Sequence, residues 1–193
     1  MFVHEVVGIL YLLLPLLGGA VVHGVCWRYN LLSFLARPID EGRKFRGKRV
    51  FGQNKTWRGP VAMAFGAAMV LEIQKRILHE WPPIADFEFL DYANVRGWLL
   101  GAMIGVASEF SELPNSFVKR QLDIAPSGTS SGWWSAVFSV WDQIDVLLGV
   151  WLVLAVVTSV TLERVLWSIV LVLTIHPLTT VVGYVLGMRA TGR

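Results

Sequence analysis

Residues 6–27 read VVGILYLLLPLLGGAVVHGVCW, a run of 22 residues without a single Asp, Glu, Lys or Arg. A helix needs about 20 predominantly apolar residues to cross the hydrocarbon core of a bilayer. The run therefore predicts a membrane span. The preceding residues include His4 and Glu5 and lack the Lys/Arg cluster of a secretory signal. We expect the run to be kept as a helix.

The composition of the whole chain is typical of a membrane protein. Of its 193 residues, 54% are apolar and nine are Trp, and the mean hydropathy is +0.56. Tryptophan favours bilayer interfaces, so we expect membrane lipids around the chain and no nucleic-acid partner. The single cysteine, Cys26, excludes an intramolecular disulfide and a zinc site built on cysteines. The sequence leaves the oligomeric state open.

Further apolar stretches follow the first one. Together they predict an all-α integral membrane protein, a bundle of about five transmembrane helices that forms one domain over residues 1–193. The predicted spans cover about residues 6–27, 60–81, 97–113, 143–162 and 165–188. We expect the third span to end before Pro114, because proline breaks helices. In the second span, Glu72 is expected to pair with Lys75 or Arg76 one helical turn away.

The positive charges predict the orientation, because cytoplasmic segments of membrane proteins carry an excess of Lys and Arg. With the amino terminus outside, 13 of the 17 Lys and Arg residues face the cytoplasm, in residues 27–59, residues 108–141 and the carboxyl terminus. We therefore predict a multi-pass protein of the cell membrane. Its amino terminus lies outside, its carboxyl terminus lies inside, and two polar loops lie in the cytoplasm.

The first of these loops includes the stretch EGRKFRGKRVFGQNKTWRG, residues 41–59. Its many bases could simply rest on anionic lipid headgroups. Its glycines and its Asn54, Lys55, Thr56 and Arg58 indicate more, because turns with such donors hold phosphates. The glycine spacing is not that of a Walker A loop. We predict that these four residues bind a phosphate-bearing ligand.

The second predicted loop, residues 108–145, carries two pairs of acidic residues, each spaced three apart. Glu109 and Glu112 would lie at the carboxyl end of a helix, which disfavours negative charge, so we expect a cationic partner. Asp142 and Asp145 would share one face of a helix. Oxygen ligands beside phosphate-binding bases favour Mg²⁺. We predict that Asp142, Asp145 and Glu109 bind Mg²⁺. The scattered histidines are expected to serve packing.

Two motifs in these segments match a known family. The stretch 116–120, SFVKR, followed by 142–145, DQID, resembles the signature of the CTP:phosphatidate cytidylyltransferases. The stretch 51–59, FGQNKTWRG, is similar to the archaeal branch of that family, the CDP-archaeol synthases. The small size and the five-span layout also resemble that branch. The resemblance thus covers nearly the whole chain.

The resemblance implies a reaction and assigns roles. CTP and an isoprenoid ether lipid phosphate, a digeranylgeranylglycerol phosphate, would give CDP-archaeol and pyrophosphate at the cytoplasmic face, with Mg²⁺ as cofactor. The implied catalytic residues are Lys119, Arg120, Asp142 and Asp145. The residues expected to contact CTP are Asn54, Lys55, Thr56, Arg58, Asn115, Ser116, Ser130 and Ser131.

Two other functions stay open at this stage. A CTP-dependent polyprenol kinase would transfer the γ-phosphoryl group and release CDP, but its alcohol substrate needs an activating group that the sequence does not obviously provide. A small non-enzymatic transporter would place ionisable residues near the middle of the bilayer. The sequence has none there beyond Glu72 and its neighbours.

Overall fold

The computed structural model describes residues 2–81, 89–124 and 133–187, and this part of the chain is mostly helical. The α-helices are α1 (Phe2–Arg28), α2 (Arg58–Glu80), α3 (Gly97–Gln121), α4 (Trp133–Leu154) and α5 (Leu162–Val185). Between α1 and α2 lie a 3₁₀ turn (Ser33–Leu35) and a hairpin of two short antiparallel strands, β1 (Lys44–Phe45) and β2 (Lys48–Arg49).

Two of the helices are long and apolar enough to cross a membrane by length and composition alone, namely the segments Val3–Arg28 and Leu162–Val185. The outer surface of the described helices is also rich in large apolar side chains. Leu152 is 74% exposed and Val185 is 75% exposed. A soluble protein would bury such side chains, whereas a bilayer solvates them. The fold is therefore that of a helical membrane protein.

Glycines bring α2 and α3 into close contact, as their spacing predicts. A Cβ atom added to Gly101 would lie 2.6 Å from the backbone oxygen of Ala67. Gly105 lies equally tightly against the backbone of Met63. On the other side of α2, a Cβ on Gly66 would lie 2.6 Å from the backbone oxygen of Gly18 in α1. Small residues let helix backbones approach in this way, and the three helices form one tightly packed unit.

The helix ends differ from the predicted ones in the second polar segment. α3 does not end before Pro114 but continues to Gln121, and α4 begins at Trp133. Most of the predicted loop 108–145 is therefore helical, and that prediction was wrong. Pro114 removes one backbone hydrogen bond inside α3 but does not end the helix. Glu109 and Glu112 thus lie within α3 rather than at its end.

Glu72 has a different partner from the one predicted. Its Oε1 accepts a hydrogen bond of 2.7 Å from the backbone N–H of Trp98, in the first turn of α3. Lys75 donates instead to the carbonyl group of Val95, at 2.6 Å. The first N–H groups of a helix have no partner within the helix and favour a nearby negative charge. Glu72 therefore ties α2 to the start of α3.

The segment between α1 and α2 is organised around Asp40, which is only 4% exposed. Its carboxylate accepts backbone hydrogen bonds from Gly42 at 3.0 Å and from Phe51 and Gly52 at 3.1 Å each, and it pairs with Arg49. Burial opposes the ionisation of Asp40, but Arg49 and these N–H groups outweigh it and hold the pKa of Asp40 well below its usual range. The basic segment is a folded loop, not a loose patch.

Asp40→Asn should destabilise this loop, by about 1–3 kcal/mol, because the buried N–H groups and Arg49 lose a charged acceptor. The pKa of Asp40 is lowered on folding, so its stabilisation is present above the unfolded value of about 4 and is lost as the pH falls below it. Limited proteolysis of residues 29–57 at neutral and acidic pH measures this. Glu41→Gln is the control, because Glu41 is exposed and its pair with Arg43 spans 3.8 Å. Equal proteolysis of the two variants would contradict the assignment.

Candidate active site

Asp142 and Asp145 lie on one face of α4, as predicted, and both contact Asn115 of α3. The side-chain nitrogen of Asn115 donates to Oδ1 of Asp142 at 2.6 Å and to Oδ2 of Asp145 at 2.8 Å. Asp145 is buried, whereas the side chain of Asp142 is 50% exposed. Asn115 therefore holds a pair of carboxylates at a fixed separation, with one of them open to an incoming ligand.

Lys119 lies one helical turn beyond Asn115 and extends the same group. Its ammonium pairs with Asp142 and lies 5.4 Å from the centre of the Phe138 ring. Ser116 is buried beside Asn115. Arg120 points elsewhere and donates to the carbonyl group of Ile124 just beyond the end of α3. The structure thus places Lys119, but not Arg120, on the aspartate pair.

A second group of charged residues joins the first loop to α3. Lys55 pairs with Glu112, and Nδ1 of His23 lies 3.3 Å from Oε1 of Glu109. The predicted basic partners of the two glutamates are present, although the reason given for them was wrong, because the helix does not end there. Gly59 leaves room for Glu109, since an added Cβ would lie 2.7 Å from Oε2 of Glu109.

His23 is a site residue that the sequence reasoning missed. It lies in the apolar run of α1, without a second histidine at ligand spacing. A lone histidine in such a run is typical of a packing residue. Only the approach of α3 to α1 shows that its ring faces Glu109.

The two groups form one continuous site through Lys55. Burial of Lys55 disfavours its charged form, but Glu112, Glu109 and Asp145 together outweigh burial and raise the pKa of Lys55 above its usual value. Lys55 therefore stays protonated at neutral pH. Four carboxyl groups face only two lysines here. A cation that accompanied a polyphosphate would reduce the repulsion between its phosphates and these carboxyl groups.

The hairpin of the first loop packs on the end of α3 that carries this site. Lys48 donates to the carbonyl group of Gln121 at 2.7 Å and to the carboxylate of Asp123 at 2.6 Å. The Phe45 and Phe117 rings lie 5.6 Å apart, centre to centre. Asp123, which stands outside the two acidic pairs, is part of this contact. The hairpin therefore packs against the carboxyl end of α3.

The remaining predicted residues occupy varied positions. Asn54 is exposed, and the backbone of Thr56 bridges to Pro38. Arg58 begins α2 and donates from Nη1 to Asn30 at 3.2 Å, and its Nε is buried without a hydrogen-bond partner among the described residues. Ser130 and Ser131 lie outside the described residues.

The fit of the site to Mg²⁺ depends on the aspartate pair. The described residues contain no group of three or more His, Cys, Asp or Glu side chains placed to hold a metal. The predicted set of Asp142, Asp145 and Glu109 is therefore wrong in its third member, and Glu109 lies beside His23 instead. However, the oxygen of the Asn115 amide is buried without a partner among the described residues, beside two carboxylates. Mg²⁺ is commonly held by one or two carboxylates, with water and substrate phosphates completing its shell. The residues present fit that pattern.

A cluster of carboxylates and lysines at one end of a helical membrane bundle is typical of an enzyme active site. A sequence model of the CarS-like family, described as CDP-archaeol synthase, matches residues 5–191. This chain belongs to that family.

Individual relatives agree with the family match. The CDP-archaeol synthase of Methanococcoides burtonii is 31% identical over 164 residues, which cover 79% of this chain and 88% of the relative. That of Halorubrum lacusprofundi is 32% identical over 161 residues, which cover 79% and 82%. A solved structure of an intramembrane enzyme for archaeal membrane lipid biosynthesis superposes with a TM-score of 0.61 at 21% identity, over 89% of this chain and 91% of that one. The last comparison supports the fold.

Proposed function

We propose that the chain transfers a cytidylyl group from CTP to an isoprenoid ether lipid phosphate, and so forms CDP-archaeol and pyrophosphate. Family membership makes it a membrane-bound cytidylyltransferase of archaeal lipid biosynthesis. One observation about its own residues carries the proposal furthest. Asn115 clamps Asp142 and Asp145 into a carboxylate pair beside Lys119, at the end of the bundle where the basic loop packs against α3.

The chemistry needs little from the protein besides charge and position. A phosphate monoester has a second pKa near 6, so at neutral pH the lipid phosphate is largely a dianion. Its oxygen attacks the α-phosphorus of CTP, the bond to the β-phosphate breaks, and pyrophosphate leaves with the electron pair. No general base is required for this step. The main obstacle is the repulsion between two polyanions.

The residues of the site could reduce the repulsion between the two polyanions. Asp142 and Asp145 would hold Mg²⁺. When bound, Mg²⁺ would neutralise part of the phosphate charge. Lys119 and Lys55 lie on either side of the acidic residues, each already held in place by an ion pair. Preorganised cations of this kind stabilise developing charge without reorganising during the reaction. Arg58 would add a further donor from the start of α2.

We further propose that α1 to α5 all cross the membrane, with the site at the cytoplasmic face. The structure supports this proposal because the basic loop, the end of α3 and the aspartates of α4 lie at one end of the bundle. The helix ends near the site would then lie on the cytoplasmic side, where Lys and Arg residues are enriched.

A cysteine at Gln53 should react with a membrane-impermeant thiol reagent only after the cytoplasmic side is opened, and Ser130→Cys should behave in the same way. Gln53 is exposed in the folded loop, so its reactivity depends on sidedness. The test uses sealed cells. Cys26→Ser is the background, because Cys26 is the single cysteine of the sequence and its free thiol could otherwise react. Labelling of either site from outside intact cells would reject the orientation.

The function itself is tested by incubating the purified protein with CTP, Mg²⁺ and a panel of lipid phosphates and polyprenols. We expect a CDP-lipid and an equal amount of pyrophosphate from an ether lipid phosphate. Turnover of a polyprenol with release of CDP would show a kinase instead. Solute flux into liposomes in the absence of nucleotide, without any turnover, would show a transporter.

A further inference from the structure

A groove with a volume of about 530 Å³ runs along the outer surface between α2 and α3, and every residue that lines it is apolar. Its floor is made of small side chains, and aromatic rings stand at its ends. The floor residues are Ala64, Ala68 and Ala102, and the end residues are Trp57, Phe110 and Trp98. The groove opens outward, toward the lipid that surrounds a membrane-embedded bundle.

The groove is long and narrow enough for an acyl-like chain. From Trp98 to Phe110, α3 rises by about 18 Å at 1.5 Å per residue. Half of a bilayer hydrocarbon core is about 15 Å thick, so the groove matches one lipid chain lying lengthwise. The alanine floor leaves space beside such a chain, and that space suits the methyl branches of an isoprenoid.

One end of the groove adjoins the candidate site. The rings of Trp57 and Phe110 lie 6.2 Å apart at this end. Trp57 directly precedes Arg58, whose Nε is buried without a hydrogen-bond partner among the described residues. Phe110 directly follows Glu109, and Lys55 pairs with Glu112 one turn further along α3. A chain in the groove would therefore carry its headgroup to the charged cluster.

We propose that this groove binds one isoprenoid chain of the lipid phosphate substrate and so positions its phosphate near Arg58 and Lys55. The assignment rests on the proposed function. It identifies the α2–α3 surface, rather than α1 or α5, as the side from which the lipid is held. It also makes the three floor alanines determinants of chain recognition, although none of them contacts a charged group of the site.

Larger side chains on the floor test the assignment. Ala64→Phe and Ala102→Phe should lower kcat/KM for the C20 isoprenoid ether lipid phosphate by about tenfold or more, since they remove apolar burial of the chain. The KM for CTP should not change, and kcat/KM for a short-chain ether lipid phosphate should change less than about twofold. Ala20→Phe is the control, because Ala20 is exposed on α1, away from the groove. Unchanged use of the C20 lipid, or equal loss with both lipids, would overturn the proposal.

Photolabelling of the wild-type protein gives a reading that does not depend on the variants. An ether lipid phosphate with a diazirine near the end of one chain should label peptides around Trp98 and Ala102. A phospholipid that is not a substrate should neither reproduce nor displace this labelling. Labelling of α1 or α5 alone, or equal labelling by both lipids, would mean that the groove holds only bulk lipid. If the wild type turned over neither lipid phosphate with CTP, the proposed function would fail, and the labelling would still decide the groove.

Discussion

Asp142→Asn and Asp145→Asn should each lower turnover by orders of magnitude while the protein still folds and inserts. Either change keeps the shape of the side chain and removes a charge that would hold Mg²⁺, whose stabilisation of phosphate charge is worth several kcal/mol. The turnover of the double variant should be little lower than that of the less active single variant, because both residues would bind the same ion. Higher Mg²⁺ or added Mn²⁺ should partly restore a single variant and should not restore the double one.

The control for these variants follows from the structure. Asp123→Asn is unsuitable, because Asp123 pairs with Lys48 and thereby helps to hold the hairpin on α3. Asp91→Asn is better matched, since Asp91 accepts hydrogen bonds from the nearby Asn94, before the start of α3 and away from the site. Cytidylyltransferase rates at varied Mg²⁺ measure the effect. Near-normal Mg²⁺-dependent activity in Asp145→Asn would move the metal to Glu109 and Glu112.

Lys55→Met should reduce kcat/KM for CTP by a large factor, about 100-fold or more if one preorganised donor is lost. Lys44→Ala should have little effect, because Lys44 is exposed in β1. The two substitutions therefore separate a specific phosphate contact from a general attraction to lipid headgroups. Equal losses in both variants, restored by anionic lipid, would show that the loop is only a surface anchor.

The ion pair between Lys55 and Glu112 allows a sharper test of the same residue. If Lys55 acted only by neutralising the partly buried Glu112, the double variant Lys55→Met/Glu112→Gln would recover activity, because no charge would be left unpaired. We expect the double variant to stay as poor as Lys55→Met. Thermal stability of each variant, measured alongside kcat/KM, separates loss of folding from loss of phosphate binding.

Much of the site could be predicted from local spacing. Two aspartates three residues apart on a helix lie on the same face. In the structure, both accept a hydrogen bond from the side-chain amide of Asn115. The glutamate pair likewise indicated basic partners, and Lys55 occupies one of those positions. The first inference needed only helical periodicity. The second reached a basic partner from a helix end that the structure does not have at the glutamates.

Two of the features that escaped prediction depend on contacts between distant segments. Pro114 favours the end of a helix, but it lies exposed inside α3, which continues to Gln121. His23 resembles a packing residue until α3 brings Glu109 to its ring. Asp40 carries no motif, yet it accepts hydrogen bonds from residues up to 12 positions away and organises the basic loop. For His23 and Asp40, the deciding partners lie beyond the local spacing from which the sequence is interpreted.

The most direct test of cytidylyl transfer uses CTP that is labelled either on the α-phosphate or on the γ-phosphate. With CTP labelled on the α-phosphate, purified protein, Mg²⁺ and the ether lipid phosphate, the label should enter the lipid fraction. With CTP labelled on the γ-phosphate, the label should appear only in pyrophosphate. Transfer of the γ-label to lipid, with the α-label remaining in released CDP, would contradict cytidylyl transfer and identify a lipid kinase.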